Sequence, residues 1–462
     1  MPEQNASPVK AREIALKALV RVEQDEAYLN LAFPPLLKPL PVKERALAVH
    51  LAKGSLQRLN TLDWALSLFC RRSIATLTPW IRNLLRLGAY QCLYMDKVPD
   101  YALVDQSVRL ARRYGHRGVA GLVNAVLRRL VREAKQLPWP DPDQRPLEYI
   151  SLRHSHPQWM VARALERFGF EEAEKWCRAN NDIPVITIRP NGLKISAEEL
   201  AKDLRTEGFK VKKNPRLPAI LEISGAGSPA FTRAFQQGHF TIQGASSSLV
   251  APLCGVRPGD RVIDLCSAPG GKATHLAELT LDRGQVYAVE LNQSRLQLVI
   301  KAARRLGLKS IKPVLADGRD LNQCDFPDPH AVLVDAPCSG LGVVRRLPEI
   351  KWRRREEDLA RFQTLQLELL DNAASLLPQG GKLVYAVCTT EPEETSAVVE
   401  GLNRRGDLEL QPIKPYLSSF LQDQPEDLPG KDLKPGPLYL WPHRHGLDGF
   451  FMALWIKRDG PV

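Results

Sequence analysis

The second half of the chain is constrained most by a regular alternation of short apolar runs with longer stretches of helical periodicity. Short apolar runs bounded by polar residues are typical of buried parallel strands, and the stretches between them are long enough for crossover helices. The alternation predicts an α/β domain over residues 236–462, built on a doubly wound parallel sheet. The predicted strands are Arg261–Cys266, Gln285–Leu291, Ile311–Ala316, Ala331–Asp335 and Gly381–Cys388, with a terminal strand at Gly449–Lys457, and the predicted helices are Ala273–Leu281, Ser294–Leu306 and Glu356–Leu377.

The first part of the chain has helical periodicity only. Apolar residues at helical spacing, such as Val119, Val123, Val126 and Leu130, mark one face of a helix. Similar stripes recur between residues 9 and 135, so we expect an all-α bundle over residues 1–140. Four prolines between Pro138 and Pro146 then predict a stiff linker.

A mixed pattern separates the bundle from the α/β domain. A helical part comes first, followed by strand signals at Ile186–Asn191 and Ala219–Ile223 on either side of a helix at Ala197–Glu207. We therefore expect a small α+β connector domain over residues 147–235.

Most of the positive charge lies in the bundle. The chain has a net charge of +12, and residues 1–150 contribute 23 Lys and Arg against 14 Asp and Glu, an excess of +9. A basic module indicates a polyanionic partner such as nucleic acid, although a solvated basic surface explains the same count. The arginines beside the last two helical stripes are Arg109, Arg112, Arg113, Arg117, Arg128, Arg129 and Arg132.

Composition excludes several other classes of protein. No apolar run is long enough to span a bilayer, and residues 1–10 lack the apolar core of a signal peptide, so we expect no membrane partner and a cytoplasmic location. The eight cysteines are scattered and include no Cys-x-x-Cys pair, which favours reduced thiols and no metal site. No leftover apolar stripe indicates an oligomer, so we expect a monomer.

Acidic side chains end successive predicted strands, where ligands bind in open α/β sheets. The loop from Asp264 to Lys272 has glycines that allow a tight turn and a close approach to a ligand, but it matches neither the dinucleotide nor the nucleotide-phosphate pattern. Glu290 can accept the ribose hydroxyls of a nucleoside cofactor, and Asp317 can accept from the amine of an adenine ring. Asp335 is a third acid at the same sheet edge.

Two cysteines follow predicted strands at that edge. Cys338 lies in Asp335-Ala-Pro-Cys-Ser-Gly340, and Cys388 lies in Tyr385-Ala-Val-Cys-Thr-Thr390. Either cysteine alone is most simply an inert buried thiol. Two thiols and a carboxylate at one sheet edge instead predict a reactive cleft.

These motifs resemble a known family. Arg86-Leu-Gly-Ala-Tyr-Gln91, with the stretch Gly121–Arg128, resembles the NusB RNA-binding domain, while the Asp264–Lys272 loop and the two cysteine motifs resemble the RNA cytosine C5-methyltransferases. The whole chain is similar to the RsmB (Sun, Fmu) family of 16S rRNA methyltransferases. This resemblance implies a NusB-like bundle, a connector and a Rossmann-like catalytic domain that methylates 16S rRNA, or a small-subunit assembly intermediate, at cytosine-967.

The resemblance also implies the roles of individual residues. Cys388 is expected to attack the cytosine, Cys338 to assist release, and Asp335 to bind the pyrimidine edge. The implied cofactor is S-adenosylmethionine, held by Cys266, Ser267, Ala268, Pro269, Gly270, Gly271, Lys272, Glu290, Arg295, Asp317 and Asp335.

The chemistry needs these residue types. Cytosine C5 is a poor nucleophile, so a thiolate first adds to C6, and a carboxyl group at N3 promotes that addition. A free thiol with a pKa near ~8.5 is mostly protonated at neutral pH, so a nearby cation is expected, with the cofactor sulfonium, Lys272 and Arg345 as candidates.

The basic residues that follow Cys338 suit contacts to an RNA backbone, although a solvated helix face explains Arg354 and Arg355; they are Arg345, Arg346, Lys351, Arg353, Arg354 and Arg355. Trp352 and Phe450 are expected in the core rather than stacked on bases. The chain departs from the family pattern, which usually has Thr, His, Asn and Asp where this sequence has Val387, Leu347, Thr395 and Gly244.

Two alternatives differ in substrate or class. A methyltransferase acting on tRNA keeps the same catalytic residues, and the NusB-like bundle favours rRNA only by resemblance. A non-catalytic RNA-binding or antitermination factor with a vestigial methyltransferase fold is a second alternative. The presence of both cysteines and all the strand-end acids argues against the latter.

Overall fold

The fold is given by a computed structural model that describes residues 8–38, 40–225, 227–321, 324–417 and 436–458. Short 3-10 turns lie at Ile74–Thr76, Ala134–Gln136, Pro229–Phe231, Leu341–Val343 and Pro392–Glu394. The strands are β1 Ile186–Pro190, β2 Phe209–Lys213, β3 Leu221–Gly225, β4 Phe240–Ile242, β5 Arg261–Asp264, β6 Gln285–Glu290, β7 Ile311–Leu315, β8 Ala331–Asp335, β9 Lys382–Val387, β10 Leu408–Leu410, β11 Leu438–Leu440 and β12 Phe450–Lys457. The helices are α1 Pro8–Gln24, α2 Leu29–Leu37, α3 Val42–Gln57, α4 Leu59–Ser67, α5 Pro79–Tyr94, α6 Asp100–Tyr114, α7 Arg117–Glu133, α8 Pro146–Arg153, α9 Gln158–Ala179, α10 Ala197–Thr206, α11 Arg233–Gln236, α12 Ala245–Ser248, α13 Val250–Leu253, α14 Gly271–Leu279, α15 Gln293–Leu306, α16 Ile350–Arg353, α17 Asp358–Ser375, α18 Ser396–Asn403, α19 Lys414–Leu417 and α20 Pro442–His445.

The chain divides into two compact units. The first unit contains the residues up to Ile183 together with Val344–Arg353, and the second contains Pro184–Val343 and the residues from Arg354 onward. The helical part of the predicted connector, α8 and α9, therefore belongs to the first unit, while the connector strands belong to the second. The residue ranges of the three domains predicted from the sequence remain predictions.

The first unit contains the predicted all-α bundle. Its core is formed by the apolar stripes read from the sequence, and Leu84, Leu85 and Val123 are almost completely buried. Burial of each such side chain stabilises the fold by about 1.5–3 kcal/mol. Helices α5 and α7 approach closely at Gly88, where an added Cβ would lie 2.7 Å from Leu127 Cδ1 and would force the Leu127 side chain to move. In the described residues, no helix is long and apolar enough to cross a membrane.

The second unit begins with a small antiparallel sheet of strand order β2-β3-β1-β4. Helix α10 packs with it and starts with a capping box, in which Ser196 and Glu199 each bind the other's backbone N–H. Such a cap contributes about 1 kcal/mol. Strand β2 was not predicted from the sequence, although its Phe-Lys-Val-Lys-Lys pattern alternates as a half-buried strand does.

A larger sheet completes the second unit, with strand order β10-β12-β9-β8-β5-β6-β7 and β11 paired to β12. The strands from β9 to β7 run parallel, as predicted. Strand β12 pairs antiparallel with β9, so the sheet is mixed rather than purely parallel. Residues Val332–Val334 and Leu383–Val387 are completely buried, which explains their uninterrupted apolar sequence. The carboxyl ends of β5, β6, β8 and β9 consequently meet at one edge, where the site forms.

Candidate active site

The loop after β5 is tied to its neighbours by backbone hydrogen bonds. Ser267 N donates to Val289 O at 3.0 Å, and Gly270 N donates to Ser267 O at 2.7 Å. Gly270 has φ +103°, a conformation that favours glycine, and a Cβ there would lie 3.1 Å from Val299 Cα. Helix α14 starts at the next residue and leaves its first N–H groups facing the loop. Ser267 Oγ is buried and has no hydrogen-bond partner among the described residues.

Two of the predicted ligand acids have defined partners. Glu290 ends β6 almost completely buried, and its Oε1 accepts from Asn292 N at 3.1 Å. Asp317 forms a two-pronged pair with Arg319, whose Nη2 lies 2.6 Å from Asp317 Oδ2. The hydrogen bond from Arg319 lowers the pKa of Asp317 and keeps it ionised. Arg319 was not singled out in the sequence, although its spacing of two residues from Asp317 permits the pair.

Arg295 and Leu291 complete this part of the cleft. Arg295 Nη2 donates to Ala268 O at 3.2 Å and lies 3.7 Å from Glu290 Oε2, so it joins the loop to the β6 acid. Leu291 follows Glu290 and is 65% exposed.

Asp264 is a buried carboxyl group at the end of β5. It is completely buried. Burial, followed by the charge of Asp335, raises the pKa of Asp264 to about 7. Asp264 therefore lies beneath the loop as a carboxyl group that is easily protonated near neutral pH.

Asp335 is paired with a lysine from the loop. Lys272 Nζ lies 2.5 Å from Asp335 Oδ2, and it also lies 5.6 Å from the centre of the Phe450 ring. The Asp335 side chain is 29% exposed and the Lys272 side chain 10%, so the carboxylate is the more accessible partner. The pair can therefore present the Asp335 carboxyl group to the cleft while Lys272 keeps it oriented. Phe450 is buried, as expected for a core residue.

The small sheet contributes a buried arginine that contacts the start of α14, directly after the β5 loop. Arg189 on β1 binds both carboxylate oxygens of Glu278, at 3.1 and 3.0 Å, and its Nη1 donates to Gly271 O at 3.0 Å. Gln243 binds Arg189 and also lies against Gly271 O. No local sequence pattern indicates this arrangement, because Arg189, Gln243 and Glu278 lie far apart along the chain.

The two predicted cysteines meet at the sheet edge. Cys338 Sγ and Cys388 Sγ are 3.3 Å apart. The hydrogen bond with Cys388 and then burial raise the pKa of the Cys338 thiol well above its ordinary value. Cys338 therefore stays protonated at neutral pH, and its S–H can donate to the Cys388 sulfur.

The loops that carry the thiols are joined directly. Gly342 N donates to Cys388 O at 2.9 Å, and Ser339 Oγ donates to Thr389 Oγ1 at 3.1 Å. A Cβ at Gly342 would lie 2.1 Å from Gly449 O, so only glycine allows this approach.

The remaining cysteines do not join the reactive pair. Cys177 and Cys254 are buried core residues, and burial raises the pKa of Cys266 in the loop. All the cysteines are free. In the part of the chain that the structure describes, no group of three His, Cys, Asp or Glu side chains could hold a metal ion.

Three of the residues that depart from the family pattern have defined surroundings in the structure. Val387 is completely buried at the end of β9, and Gly244 caps α12. Thr395 Oγ1 donates to Glu391 O at 2.7 Å and accepts from the Tyr439 hydroxyl at 3.0 Å.

The arginines of α6 and α7 lie on the surface of the first unit. All of those named from the sequence are exposed, and several form surface ion pairs, such as Arg109 with Asp105 and Arg113 with Glu13. Arg112 and Arg117 have no charged partner among the described residues. This surface remains the predicted RNA-binding face.

The basic cluster after Cys338 differs from the prediction. Lys351 was expected to contact RNA, but it is completely buried in the first unit, where its ammonium group donates to Gln57 O, Ser155 O and Asn181 Oδ1 at 2.9, 2.9 and 3.0 Å. Arg353 likewise donates to backbone carbonyls of the first unit. These side chains hold the segment Val344–Arg353 in place, so the prediction of an exposed basic surface was wrong for Lys351.

The Rossmann-like sheet, its strand-end acids and the paired thiols define a methyltransferase, and comparisons with known proteins identify its family. The family model described as 16S rRNA methyltransferase RsmB/F matches residues 253–456. The NusB family model matches residues 9–132, and the RsmF/B-like ferredoxin-like domain matches residues 156–228. The probable ribosomal RNA small subunit methyltransferase B of Bacillus subtilis is 36% identical over 97% of this chain and 98% of its own length. The chain thus belongs to the RsmB/F family of 16S rRNA methyltransferases and is an rRNA methyltransferase.

Solved structures agree with the fold. The crystal structure of PH0851 aligns with 99% of this chain and 100% of its own, at 28% identity and a TM-score of 0.82. NSun6 from Pyrococcus horikoshii, crystallised with SFG, covers 66% of this chain and 98% of its own, at 25% identity and a TM-score of 0.58. The NusB-like bundle, the connector and the α/β catalytic fold predicted from the sequence are confirmed.

Proposed function

We propose that the chain transfers the methyl group of S-adenosylmethionine to C5 of a cytosine in 16S rRNA, through a covalent bond between Cys388 and C6 of the base. The observation that carries this proposal is the 3.3 Å separation of Cys338 Sγ and Cys388 Sγ, beside Asp335 at the same sheet edge. Two thiols and a carboxylate in one cleft match the requirements of cytosine C5 chemistry. Cytosine-967 is the proposed target position, from the family resemblance.

The residues around the β5 loop suit the proposed cofactor. Ser267 Oγ lacks a partner among the described residues, Gly270 allows the loop to pack closely on α15, and Glu290 offers a carboxylate at the β6 end. We assign the cradle to Cys266–Lys272 with Glu290, Arg295, Asp317 and Asp335, as the sequence predicts. When bound, S-adenosylmethionine supplies an electrophilic methyl group on a sulfonium sulfur.

Cys388 is the proposed nucleophile. The family resemblance assigns the attack to Cys388, and the raised pKa of Cys338 supports a role for Cys338 as the partner that stays a thiol and can donate to the Cys388 sulfur. Attack at C6 places electron density on C5 and N3 of the cytosine. Asp335, positioned by Lys272, is the group proposed to reach the N3 edge, where its carboxyl group donates a proton or a hydrogen bond to N3 and so favours this addition.

Cys338 is proposed to assist release of the product. After C5 is methylated, the C5 proton passes to water, its bonding electrons form the C5–C6 double bond, and the C6–Sγ bond of Cys388 breaks. Cys388 then leaves as a thiolate, which the Cys338 S–H can stabilise by a hydrogen bond.

RNA contacts are proposed for the exposed arginines of α6 and α7, because cationic side chains bind phosphates without regard to sequence. Arg112 and Arg117 are the foremost candidates, since neither has a charged partner among the described residues. The substrate is proposed to be 16S rRNA or a small-subunit assembly intermediate, and the protein is proposed to act as a cytoplasmic monomer.

The test is bisulfite sequencing of small-subunit rRNA incubated with S-adenosylmethionine and wild-type, Cys388→Ala or Cys338→Ala protein. We expect one protected cytosine with wild type, none with Cys388→Ala, and a denaturation-resistant RNA adduct with Cys338→Ala. Cys177→Ala is a matched control, because Cys177 is a buried core thiol of the first unit.

Other outcomes would redirect the proposal. Protection of a tRNA cytosine, with no protected rRNA position, would replace the substrate but keep the chemistry. Binding of rRNA without any methyl transfer or cofactor binding would favour a non-catalytic RNA-binding factor.

A further inference from the structure

The backbone on either side of Cys338 is held by two buried polar side chains. Gln366 Nε2, on α17, donates to Pro337 O at 3.0 Å, and Glu394 Oε2 accepts from Ser339 N at 2.8 Å. Both side chains are completely buried. The peptide groups before and after Cys338 are thus fixed by side chains from two other elements of the same unit.

The two side chains also bind each other. Gln366 Nε2 donates to Glu394 Oε2 at 3.0 Å, so one carboxylate oxygen receives hydrogen bonds from both Ser339 and Gln366. The second oxygen, Glu394 Oε1, is buried and has no hydrogen-bond partner among the described residues. A buried carboxyl group is costly, and one with a free oxygen is costlier than an apolar side chain of the same size. The core of the unit therefore gains no evident stability from a glutamate here.

The glutamate is itself anchored. The Tyr385 hydroxyl, on β9, donates to Glu394 O at 2.8 Å, and Tyr385 is completely buried. The position of Glu394 is thereby set by β9, the strand that ends just before Cys388. The hydrogen bonds from Tyr385 to Glu394 and from Ser339 to Glu394 together fix the Cys338 turn relative to Cys388.

We propose that Glu394, together with Gln366, is a positioning residue for product release, which holds the Cys338 turn so that its thiol stays in contact with the Cys388 sulfur. This inference rests on the proposed function, because it takes Cys338 as the residue that assists release. Neither Glu394 nor Gln366 touches the substrate in this scheme. Their effect reaches the reaction through the backbone of Pro337 and Ser339.

Electrostatics support this geometry. The charge of Glu394 is one of the causes that raise the pKa of Cys338, after the Cys388 hydrogen bond and burial. Burial raises the pKa of Glu394 itself, and in its ionised form Glu394 helps to keep Cys338 as an S–H donor. That is the state in which Cys338 can stabilise the departing Cys388 thiolate.

The experiment separates methyl transfer from release. Wild-type, Glu394→Ala and Glu394→Gln proteins are mixed with rRNA and S-adenosylmethionine, and two quantities are followed, the first burst of methyl transfer and the denaturation-resistant RNA adduct. Misplacement of a catalytic group by about 1 Å can cost roughly 100-fold, so we expect kcat of Glu394→Ala to fall by about 10-fold to 100-fold. We expect the burst to stay close to that of wild type and the adduct to accumulate, as in Cys338→Ala.

Glu394→Gln is the conservative variant. Its side-chain oxygen can still accept from Ser339 N, so adduct accumulation should lie between those of wild type and Glu394→Ala. It also keeps the test decisive if Glu394→Ala does not fold, as checked by thermal unfolding. Glu393→Ala is the matched control, because Glu393 lies on the same turn and is only half-buried, and we expect wild-type release.

The outcomes are distinguishable. A parallel loss of burst and adduct would show that Glu394 has only a structural role and would overturn the inference. Release at the wild-type rate in both Glu394 variants would overturn it too. An adduct that persists in Cys388→Ala protein would refute the proposed function itself, whereas adduct in Cys338→Ala but not in the Glu394 variants would refute only this inference.

Discussion

Removal of the buried Arg189 guanidinium should destabilise the second unit strongly. Arg189 and Glu278 have side chains that are only 4% and 8% exposed, and Arg189 also donates to Gly271 O. The change Arg189→Ala leaves the Glu278 carboxylate buried without its partner. Breaking a buried ion pair from one side costs about 3–5 kcal/mol, and we expect a loss of unfolding free energy in that range.

The assay is urea unfolding followed by tryptophan fluorescence, to which Trp441 and Trp455 of this unit contribute. With a denaturant slope of about 1–3 kcal/mol/M, the expected loss lowers the midpoint of this unit by about 1 M or more. Arg361→Ala is the matched control, because Arg361 is 85% exposed and pairs with Asp358 at 3.6 Å. Surface pairs contribute about 0–1 kcal/mol, so its midpoint should hardly move.

A double variant tests the reasoning directly. Replacing both Arg189 and Glu278 by methionine removes both charges and should recover most of the loss, since apolar replacements of buried pairs are often neutral. The reasoning is refuted if Arg189→Ala costs no more than Arg361→Ala, or if the double methionine variant is as unstable as the single alanine variant.

Two further predictions concern the thiol loops and acid stability. Gly342→Ala should lower kcat by about 100-fold, because the new Cβ would lie 2.1 Å from Gly449 O and displace the loop that joins the cysteines. Methyl-transfer kinetics and a thermal melt of the same variant should show that activity is lost while the protein remains folded. Asp407 has its pKa lowered to about 2, first by Arg405 and also by Lys457. Because this folded-state pKa lies below the unfolded value, the pairing stabilises the protein above about pH 4 and is lost as the pH falls towards 2. Melting temperatures of wild type and Asp407→Asn should therefore converge over that range, and a constant difference would contradict the assignment.

The sequence predicted the parts of the site that depend on local pattern. Strands β5, β6, β8 and β9 were predicted correctly because buried parallel strands have uninterrupted apolar sequences. Glu290, Asp335 and the two cysteines were singled out because they lie at or just after the ends of predicted strands. The structure brings Cys338 and Cys388 together, as expected from parallel strands that share an edge. Their catalytic roles remain predictions.

The missed features depend on contacts between distant residues. Neither the approach of Arg189 to Gly271 nor the bonds of Glu394 to the Cys338 turn leave a trace in local sequence. The antiparallel pairing of β12 beside β9 is likewise a matter of topology. The burial of Lys351 was not predicted, because a charged side chain is usually solvated. Its ammonium group is buried only because three acceptors from separate segments of the chain surround it.

The burial of Lys351 has a consequence for the order of folding during synthesis. Domains generally fold as units as the chain emerges, N-terminal parts first. The first unit, however, includes Val344–Arg353, which the ribosome makes only after strands β5 to β8 and the Cys338 turn. Until then the carbonyls of Gln57 and Ser155 lack the ammonium group that they bind in the finished protein. The helical bundle is thus completed late, and a fragment that ends at Ile183 would lack a piece of its own interior.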